Sequence, residues 1–358
     1  MKKYKTLVLG LEHFIDKIGY QSLAYQHFHH PVKYLVSDAS GFSLSFAEKY
    51  NANINIVPKN SLHRIIFIII YLFKAEYTHI EIYHTGRLTF FYVLFCKLFY
   101  KKILVILRGM EFDKKNSFFW YSLFIKTIQI SDKVIAKEPF LYNEAQKFIP
   151  IDKILFLPNA IKTYSGKILK YEERDIDILF LNSPRKERNL FLLIDALSIL
   201  LEVKKELSIF LVGFSILSDV SNKLESEYQQ SVLDYIKQKG LEKKFIIKPF
   251  VDNPFNYHSR AKVFVLPSDP VFLNYSLLES MSCGTVPVVT KGDGWEMIIN
   301  KNNGFVSDFD SKDFAEQIRN ALINENWDKK SVKARETVMN NYDIISWGEK
   351  ILTFKGVI

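Results

Sequence analysis

The residues whose types best suit chemistry lie in the segment VFVLPSDPVFLNYSLLESMSCGTVPVVT, residues 263–290. Its apolar run 263–266 predicts a buried strand that leads into a polar loop containing Asp269. A helix is predicted to begin near Ser276 and to end at a Cys-Gly pair. In parallel sheets, a loop that leads from a strand into a helix N-terminus offers free backbone N–H groups and a positive dipole end. The segment therefore predicts a site for an anion such as a diphosphate.

Glu279 lies close to the start of this predicted helix and has two interpretations. A carboxylate there can accept two hydrogen bonds from the adjacent hydroxyls of a ribose. Ser276 and Glu279 also have the spacing of a capping box, in which the carboxylate only satisfies its own helix. The spacing alone leaves both interpretations open.

A second group of charged residues follows the strand predicted at 176–181. Arg185, Lys186 and Arg188 lie within four positions of one another in the sequence SPRKERN. Guanidinium groups bind phosphate oxygens with two hydrogen bonds, so these cations suit a phosphate or a diphosphate. The competing interpretation is a basic loop exposed to solvent.

Three further candidates lie in the first half of the chain, each just after a predicted strand. His84 follows the strand 79–83, and Arg108 and Glu111 follow the strand 103–107. Arg108 suits neutralisation of a phosphate, and Glu111 suits contact with a substrate or with a base. For His84, an ordinary structural histidine explains the position as well as a catalytic one does.

The elements that must position these residues alternate between short apolar runs and longer helical patterns. This alternation predicts right-handed βαβ units and parallel sheets. The rhythm loosens in the polar stretch 162–174 and then restarts, so two consecutive α/β domains are expected. The predicted domains are 1–168 and 169–345, followed by a C-terminal helix within 346–358 that either closes the second domain or packs back on the first. The predicted strands are 6–10, 33–36, 53–57, 79–83, 103–107, 133–135, 154–157, 176–181, 207–212, 245–249, 262–266 and 286–289. The predicted helices are 19–29, 61–75, 87–100, 116–129, 189–203, 221–239 and 346–354.

Composition excludes several classes of protein. The chain has 358 residues, 48% of them hydrophobic and 24% charged, which excludes a disordered or collagen-like protein. Its two cysteines, Cys96 and Cys283, lack metal-ligand or redox spacing, so no metal site is expected and a reducing, cytoplasmic location fits. The most apolar stretches, 65–73 and 88–99, are shorter than the roughly 20 residues that span a bilayer.

A net charge of +9 accompanies 30 Phe and 19 Tyr. The predicted helices 61–75, 87–102 and 116–129 combine aromatic and aliphatic residues with Lys and Arg. Such faces suit helices that lie on an anionic membrane surface, and they equally suit helices that pack on a parallel sheet. Nucleic acid is not expected as a partner, because no recognition helix, RNA-binding strand pair or zinc module is present. The basic residues on or beside these three predicted helices are Arg64, Lys74, Lys97, Lys101, Lys102, Lys114, Lys115 and Lys126.

Several motifs, in a fixed order along almost the whole chain, resemble family 4 glycosyltransferases. Residues 278–284, LESMSCG, followed by VPVV at 286–289, are similar to the family signature LEAMACG-x-PVV. Weaker resemblances are Ile18-Gly19 to the glycine loop, residues 157–161 to PNGI, residues 210–213 to the IVG strand end, and Glu296 with 303–305 to the PE…NG run.

The resemblance implies a retaining enzyme of the GT-B fold, in which two Rossmann-like parallel-sheet domains face a cleft. It implies a nucleotide diphosphate-sugar donor such as a UDP- or GDP-sugar, a glycan or lipid-linked glycan acceptor, and no metal or other cofactor. Its products would belong to bacterial surface polysaccharide or glycolipid synthesis, made in the cytoplasm at the inner face of the membrane. The residues expected in catalysis are His84, Arg108, Glu111, Lys186 and Arg188. Those expected at the donor are Gly19, Arg185, Gly213, Asp269, Asn274, Tyr275, Ser276, Leu277 and Glu279.

The sequence departs from the family pattern at the phosphate clamp, at Arg108, where many relatives carry a His, and at the E-x7-E motif. The first Glu of the family's E-x7-E motif falls at Val271, while Glu279 occupies the place of the second. This departure keeps two other functions open, a nucleotide-sugar-binding protein without catalysis and a nucleotide-sugar epimerase of the same fold. Asp269 lies on the same loop and is a candidate replacement for the missing carboxylate.

Overall fold

A computed structural model describes residues 5–38, 41–83, 88–107, 112, 118–214, 223–272, 274–323, 325 and 327–358. The chain forms two compact units. The first contains Met1–Lys162 together with Ile344–Ile358, and the second contains Thr163–Asp343. The first unit thus breaks off at 162 and resumes at 344, where the sequence analysis placed these positions at 168 and 346.

The first unit is built on a sheet of seven parallel strands, in the order β3-β2-β1-β4-β5-β6-β7. Residues such as Leu7, Leu9, Ile80, Ile82 and Val105 are buried within it, because helices cover both faces of a parallel sheet. The strands are β1 (Thr6–Leu11), β2 (Val32–Val36), β3 (Ile54–Ile56), β4 (His79–Tyr83), β5 (Lys102–Ile106), β6 (Lys133–Ala136) and β7 (Ile154–Phe156). The helices between them are α1 (Asp16–His27), α2 (Gly41–Lys49), α3 (Ser61–Phe73), α4 (Thr89–Leu98), α5 (Phe118–Ile130) and α6 (Pro139–Gln146).

The second unit contains a sheet of six parallel strands, in the order β10-β9-β8-β11-β12-β13. Its strands are β8 (Ile176–Leu181), β9 (Ile209–Val212), β10 (Phe245–Lys248), β11 (Ala261–Leu266), β12 (Val286–Thr290) and β13 (Phe305–Ser307). Its helices are α7 (Leu190–Val203), α8 (Lys223–Gln238), α9 (Phe255–His258), α10 (Tyr275–Ser282), α11 (Ser311–Ile323) and α12 (Trp327–Asn341). Both parallel sheets predicted from the sequence are therefore present.

The last helix, α13 (Ile344–Phe354), packs on α1 within the first unit. A Cβ at Gly348 would lie 2.9 Å from the Cβ of Ala24, so glycine permits this close approach. Just beyond the helix, the Lys355 ammonium is buried and lies 2.6 Å from the Glu81 carboxylate. The helix begins at Ile344, two residues before the start predicted from the sequence.

Among the described ranges, no helix combines the length and the apolar composition needed to cross a bilayer.

Candidate functional site

The carboxyl ends of three adjacent strands, β9, β8 and β11, lead into the loops that carry most of the predicted donor residues. The loop after β8 is tied to the loop after β11 at two points. Asn182 Nδ2 donates to Asn274 Oδ1 over 3.1 Å, and the Asp269 N–H donates to the Glu187 carbonyl over 3.0 Å. The two predicted groups of polar residues, around 182–189 and 267–276, therefore meet at one edge of the second sheet.

Gly213 makes the close approach of β9 to this edge possible. Its φ of 111° is in a region that residues with a side chain rarely adopt. A Cβ at this position would lie 2.3 Å from the Asn182 carbonyl oxygen. The predicted importance of Gly213 thus has a steric cause, since any side chain would push apart the ends of β8 and β9.

Arg188 is the cation that the fold holds most firmly at this edge. It ends the short turn Lys186–Arg188, and Asn189 after it adopts a left-handed conformation with φ 44°. Arg188 Nη1 donates to Ser268 Oγ over 3.2 Å, while its buried Nε has no hydrogen-bond partner among the described residues. Burial lowers the pKa of Arg188, and the nearby Arg185 lowers it further. A cation withdrawn from water with an unused donor is well suited to receive an anion.

The other two predicted cations lie differently. Arg185 is exposed, and its Nε lies 3.2 Å from Glu225 Oε1. Lys186 is exposed as well. No described contact joins either side chain to the loop after β11. Of the three predicted cations, Arg188 is therefore the one that the structure connects to that loop.

Helix α10 begins at Tyr275, and Asn274 is its N-cap. Asn274 Oδ1 accepts a hydrogen bond from the Leu277 N–H over 3.2 Å as well as the bond from Asn182. The side chain of Leu277 is fully buried, so its contribution is structural. Because the first turn of a helix exposes backbone N–H groups and the positive dipole end, the region of Tyr275 and Ser276 suits a phosphate.

Glu279 is buried in the second turn of α10, and it does not cap the helix. The capping-box interpretation is wrong because the cap is Asn274 rather than Ser276. Glu279 Oε2 lies 3.8 Å from Nε2 of His258, whose side chain is fully buried. Burial lowers the pKa of His258 to about 3, so the imidazole is neutral at pH 7. His258 had no signal in the sequence, because its proximity to Glu279 arises only from the packing of α9 against α10.

On the loop after β11, Asp269 and Val271 are only two positions apart, but their side chains lie in different environments. Asp269 is exposed, and its Oδ1 accepts from the Asp293 N–H over 2.9 Å. Val271 is fully buried, and its N–H donates to the Asp293 carbonyl over 3.1 Å. Val271 is therefore a packing residue, and the carboxylates exposed nearby are those of Asp269 and Asp293.

Gly19 does not lie in a loop, as the sequence predicted. It lies inside α1, where a Cβ would be 2.2 Å from the ring of Tyr50. Its small size serves the packing of this helix. The other first-unit candidates, His84, Arg108 and Glu111, lie outside the described residues.

Asn182 and Ser268 were missed by the sequence analysis although both contact predicted residues. Asn182 directly follows β8 and Ser268 lies two positions after β11, and this place at a strand end is the signal that could have identified them. Within the described part of the chain, no group of three or more His, Cys, Asp or Glu side chains is arranged to hold a metal ion.

Comparisons with known proteins agree with this architecture. Residues 162–338, almost all of the second unit, match the family model described as glycosyl transferases group 1. A glycosyltransferase from Rickettsia africae ESF-5 is similar at a TM-score of 0.79 and 18% identity, over 100% of this chain and 99% of that chain. The chain has the GT-B fold.

Two further solved structures are similar over nearly their full length. Anabaena Alr3699/HepE, in complex with UDP and glucose, aligns with a TM-score of 0.78 and 13% identity, over 99% of this chain and 100% of that chain. Sucrose-phosphate synthase from Thermosynechococcus elongatus aligns with a TM-score of 0.73 and 12% identity, over 98% of each chain. Among curated protein sequences, none matches this GT-B chain.

Proposed function

We propose that this protein is a glycosyltransferase that takes a sugar from a nucleotide diphosphate-sugar bound by its second unit. The observation that carries the proposal is the hydrogen bond from Arg188 to Ser268, which holds this cation on the loop that leads from β11 into the N-terminus of α10. This edge lies within the segment that matches the group 1 glycosyl transferases. The UDP and glucose bound by Anabaena HepE support a UDP-sugar as the first donor to test.

In this proposal the diphosphate lies between the Arg188 guanidinium and the backbone N–H groups at the start of α10. Negative charge grows on the diphosphate as its bond to the sugar breaks, and fixed positive charge stabilises that change. Glu279 is the proposed partner of the ribose hydroxyls, with Gly213 and Asn274 shaping the site. Because protein groups supply the positive charge, we propose a reaction that needs no metal. Retention of configuration is part of the proposal through the family resemblance.

The proposed acceptor is a glycan or a lipid-linked glycan bound by the first unit, in the synthesis of a bacterial surface polysaccharide or glycolipid. The enzyme would then work in the cytoplasm, at the inner face of the cell membrane.

A second candidate is a protein of the same fold that binds a nucleotide-sugar without catalysis. The observation that favours it is Val271, whose fully buried side chain occupies the position where the family resemblance implies a carboxylate. Asp269 and Asp293, both exposed on the adjoining loops, are the residues that could supply a replacement carboxylate.

A transfer assay separates these functions. The protein is incubated with UDP- and GDP-hexoses labelled in the sugar, together with lipid and glycan extracts, and label entering the extracts is measured. We expect transfer from one donor, lowered by about 10²–10³-fold in R188M because the leaving group loses a fixed positive charge. The control R319M removes an arginine from an exposed i,i+3 ion pair on α11 and should keep wild-type transfer.

The other outcomes contradict transfer. Nucleotide binding without label in any extract would support the binding protein. Release of an altered free sugar without an acceptor would support an epimerase.

A further inference from the structure

Helix α3 is apolar on all sides from residue 65 to residue 73, although one side of it is exposed. Its sequence is SLHRIIFIIIYLF, and Ile68, Tyr71 and Leu72 bury one face in the core of the first unit. A helix that packs on a sheet normally presents polar residues on its outer side. The outer side of α3 instead carries exposed apolar residues at a spacing that forms one stripe, and these are Leu62, Ile66, Ile70 and Phe73.

Helix α4 continues this stripe. Phe91 and Leu98 are exposed on its outer side, and the rings of Phe73 and Phe99 lie 4.2 Å apart, centroid to centroid. Both helices are crossovers that run in the same direction across the sheet, so right-handed connections place them on the same face. We call the outer surface formed by Leu62, Ile66, Ile70, Phe73, Phe91 and Leu98 the apolar face.

The charged residues on the helices beneath the apolar face have a single sign, and the first acidic residue after α3, the exposed Glu76, is paired with Lys5 over 2.6 Å. Helices α3, α4 and α5 contain no Asp or Glu, while Lys59, Lys74 and Lys126 are exposed before, after and beside them. Lys101 does not belong to this group, contrary to the sequence-based expectation. It is buried and donates to the carbonyl oxygens of Lys74 and Tyr77.

Lys97 is partly neutralised, since its ammonium lies 2.8 Å from the Asp132 carboxylate. Lys114 and Lys115, also predicted for this surface, lie outside the described residues. The exposed cations that remain surround an apolar surface with no acidic side chain on its helices.

We propose that the apolar face inserts into the surface of a lipid bilayer that carries anionic headgroups. A helix of 13 residues is about 20 Å long, too short to span a hydrocarbon core of about 30 Å, so it lies in the plane of the interface. Exposed lysines beside it attract the headgroups. A second copy of the chain fits less well, because it would bring two cationic faces together with no acidic partner on these helices.

The proposal does not rest on sugar transfer, and vesicle binding tests it separately. The protein is sedimented with phosphatidylcholine vesicles that either contain or lack phosphatidylglycerol, in low and in raised salt. We expect binding only to the anionic vesicles, and I66E/I70E should lower it at least about tenfold by placing charge where apolar side chains insert.

A matched control carries the same change on the second unit. V332E/M339E alters two apolar residues of α12 that are 54% and 45% exposed, against 47% and 53% for Ile66 and Ile70. This control should bind vesicles as the wild type does.

A second variant tests the charges without changing the apolar face. K59Q/K126Q should lower binding to anionic vesicles by about fivefold for each lysine and reduce the effect of salt. Melting temperature and UDP affinity, measured on every variant, report whether the fold and the proposed donor site are intact.

Three results would overturn the proposal. In the first, the wild type does not bind anionic vesicles. In the second, I66E/I70E and K59Q/K126Q bind these vesicles as tightly as the wild type does. In the third, the lipid-free wild type is a dimer that I66E/I70E converts to a monomer, so that a second copy covers the face.

Discussion

Arg188 and Gly213 contribute to the candidate site in opposite ways. Arg188 contributes a half-buried guanidinium that is fixed by one hydrogen bond to Ser268 and has a donor still unused. Gly213 contributes the absence of a side chain, because its backbone lies against the Asn182 carbonyl. The first supplies the charge for a diphosphate, and the second lets two strand ends come close enough to form the edge where that charge lies.

Substitution of Gly213 should be far more costly than substitution of another glycine with positive φ. We expect G213A to lower the free energy of unfolding by at least about 3 kcal/mol, through backbone strain together with the clash at Asn182. G240A is the control, since Gly240 has φ 67° but no described atom within 4 Å of the place that an alanine methyl group would occupy. It should cost about 1 kcal/mol from strain alone. Equal losses in urea unfolding would contradict the steric role of Gly213.

At the scale of elements, α10 is the helix that joins the two polar loops. Its cap, Asn274, accepts hydrogen bonds from both Asn182 and Leu277, so the start of the helix is fixed relative to the loop after β8. The backbone N–H groups at this end are useful to a diphosphate only if they are held in place, and this capping arrangement holds them.

The variant N274D separates the stability of α10 from its proposed role at the donor. Aspartate keeps an acceptor for the Leu277 N–H and favours the helix dipole, so the free energy of unfolding should stay within about 1 kcal/mol of the wild type. Its negative charge beside the diphosphate should lower UDP affinity at least about tenfold. The comparison variant N274A should lose about 1 kcal/mol of stability with the cap. Unchanged UDP affinity in N274D would place the diphosphate elsewhere.

The strands were predictable because a parallel sheet buries both faces, which produces continuous apolar runs such as those of β1, β8 and β11. Strand β13 was missed because it has only three residues. Helix α12, WDKKSVKARETVMNN, was missed because its polar sequence shows little apolar periodicity. Helix α2 was also missed, because it begins with a glycine, a residue of low helix propensity.

The candidate site was predictable only in part. The motif around Glu279 pointed to the edge of the second sheet where the structure brings the two polar loops together. The choice of Arg188 over Arg185 and Lys186 could not be made, since it depends on contact with Ser268, 80 positions away. Gly19 was assigned to a loop because glycine in a sequence signals a turn as readily as close helix packing.

At the scale of the whole molecule, the net charge of +9 alone is compatible with many partners. We assign part of this charge to two proposed sites, one in each unit. In the second unit, Arg188 is held at the strand ends where we propose that a diphosphate binds. In the first unit, exposed lysines surround an apolar face without acidic residues, where we propose that an anionic bilayer binds. Each proposed site is confined to one unit and is tested independently of the other.

The central claim is that the second unit binds a nucleotide diphosphate through Arg188. Calorimetric titration of UDP and GDP into the wild type and into R188M tests it most directly. We predict that one of the two nucleotides binds the wild type and that R188M weakens this binding by at least about tenfold, through loss of a charge-assisted hydrogen bond. Absence of binding to the wild type, or equal affinity in R188M, would contradict the claim.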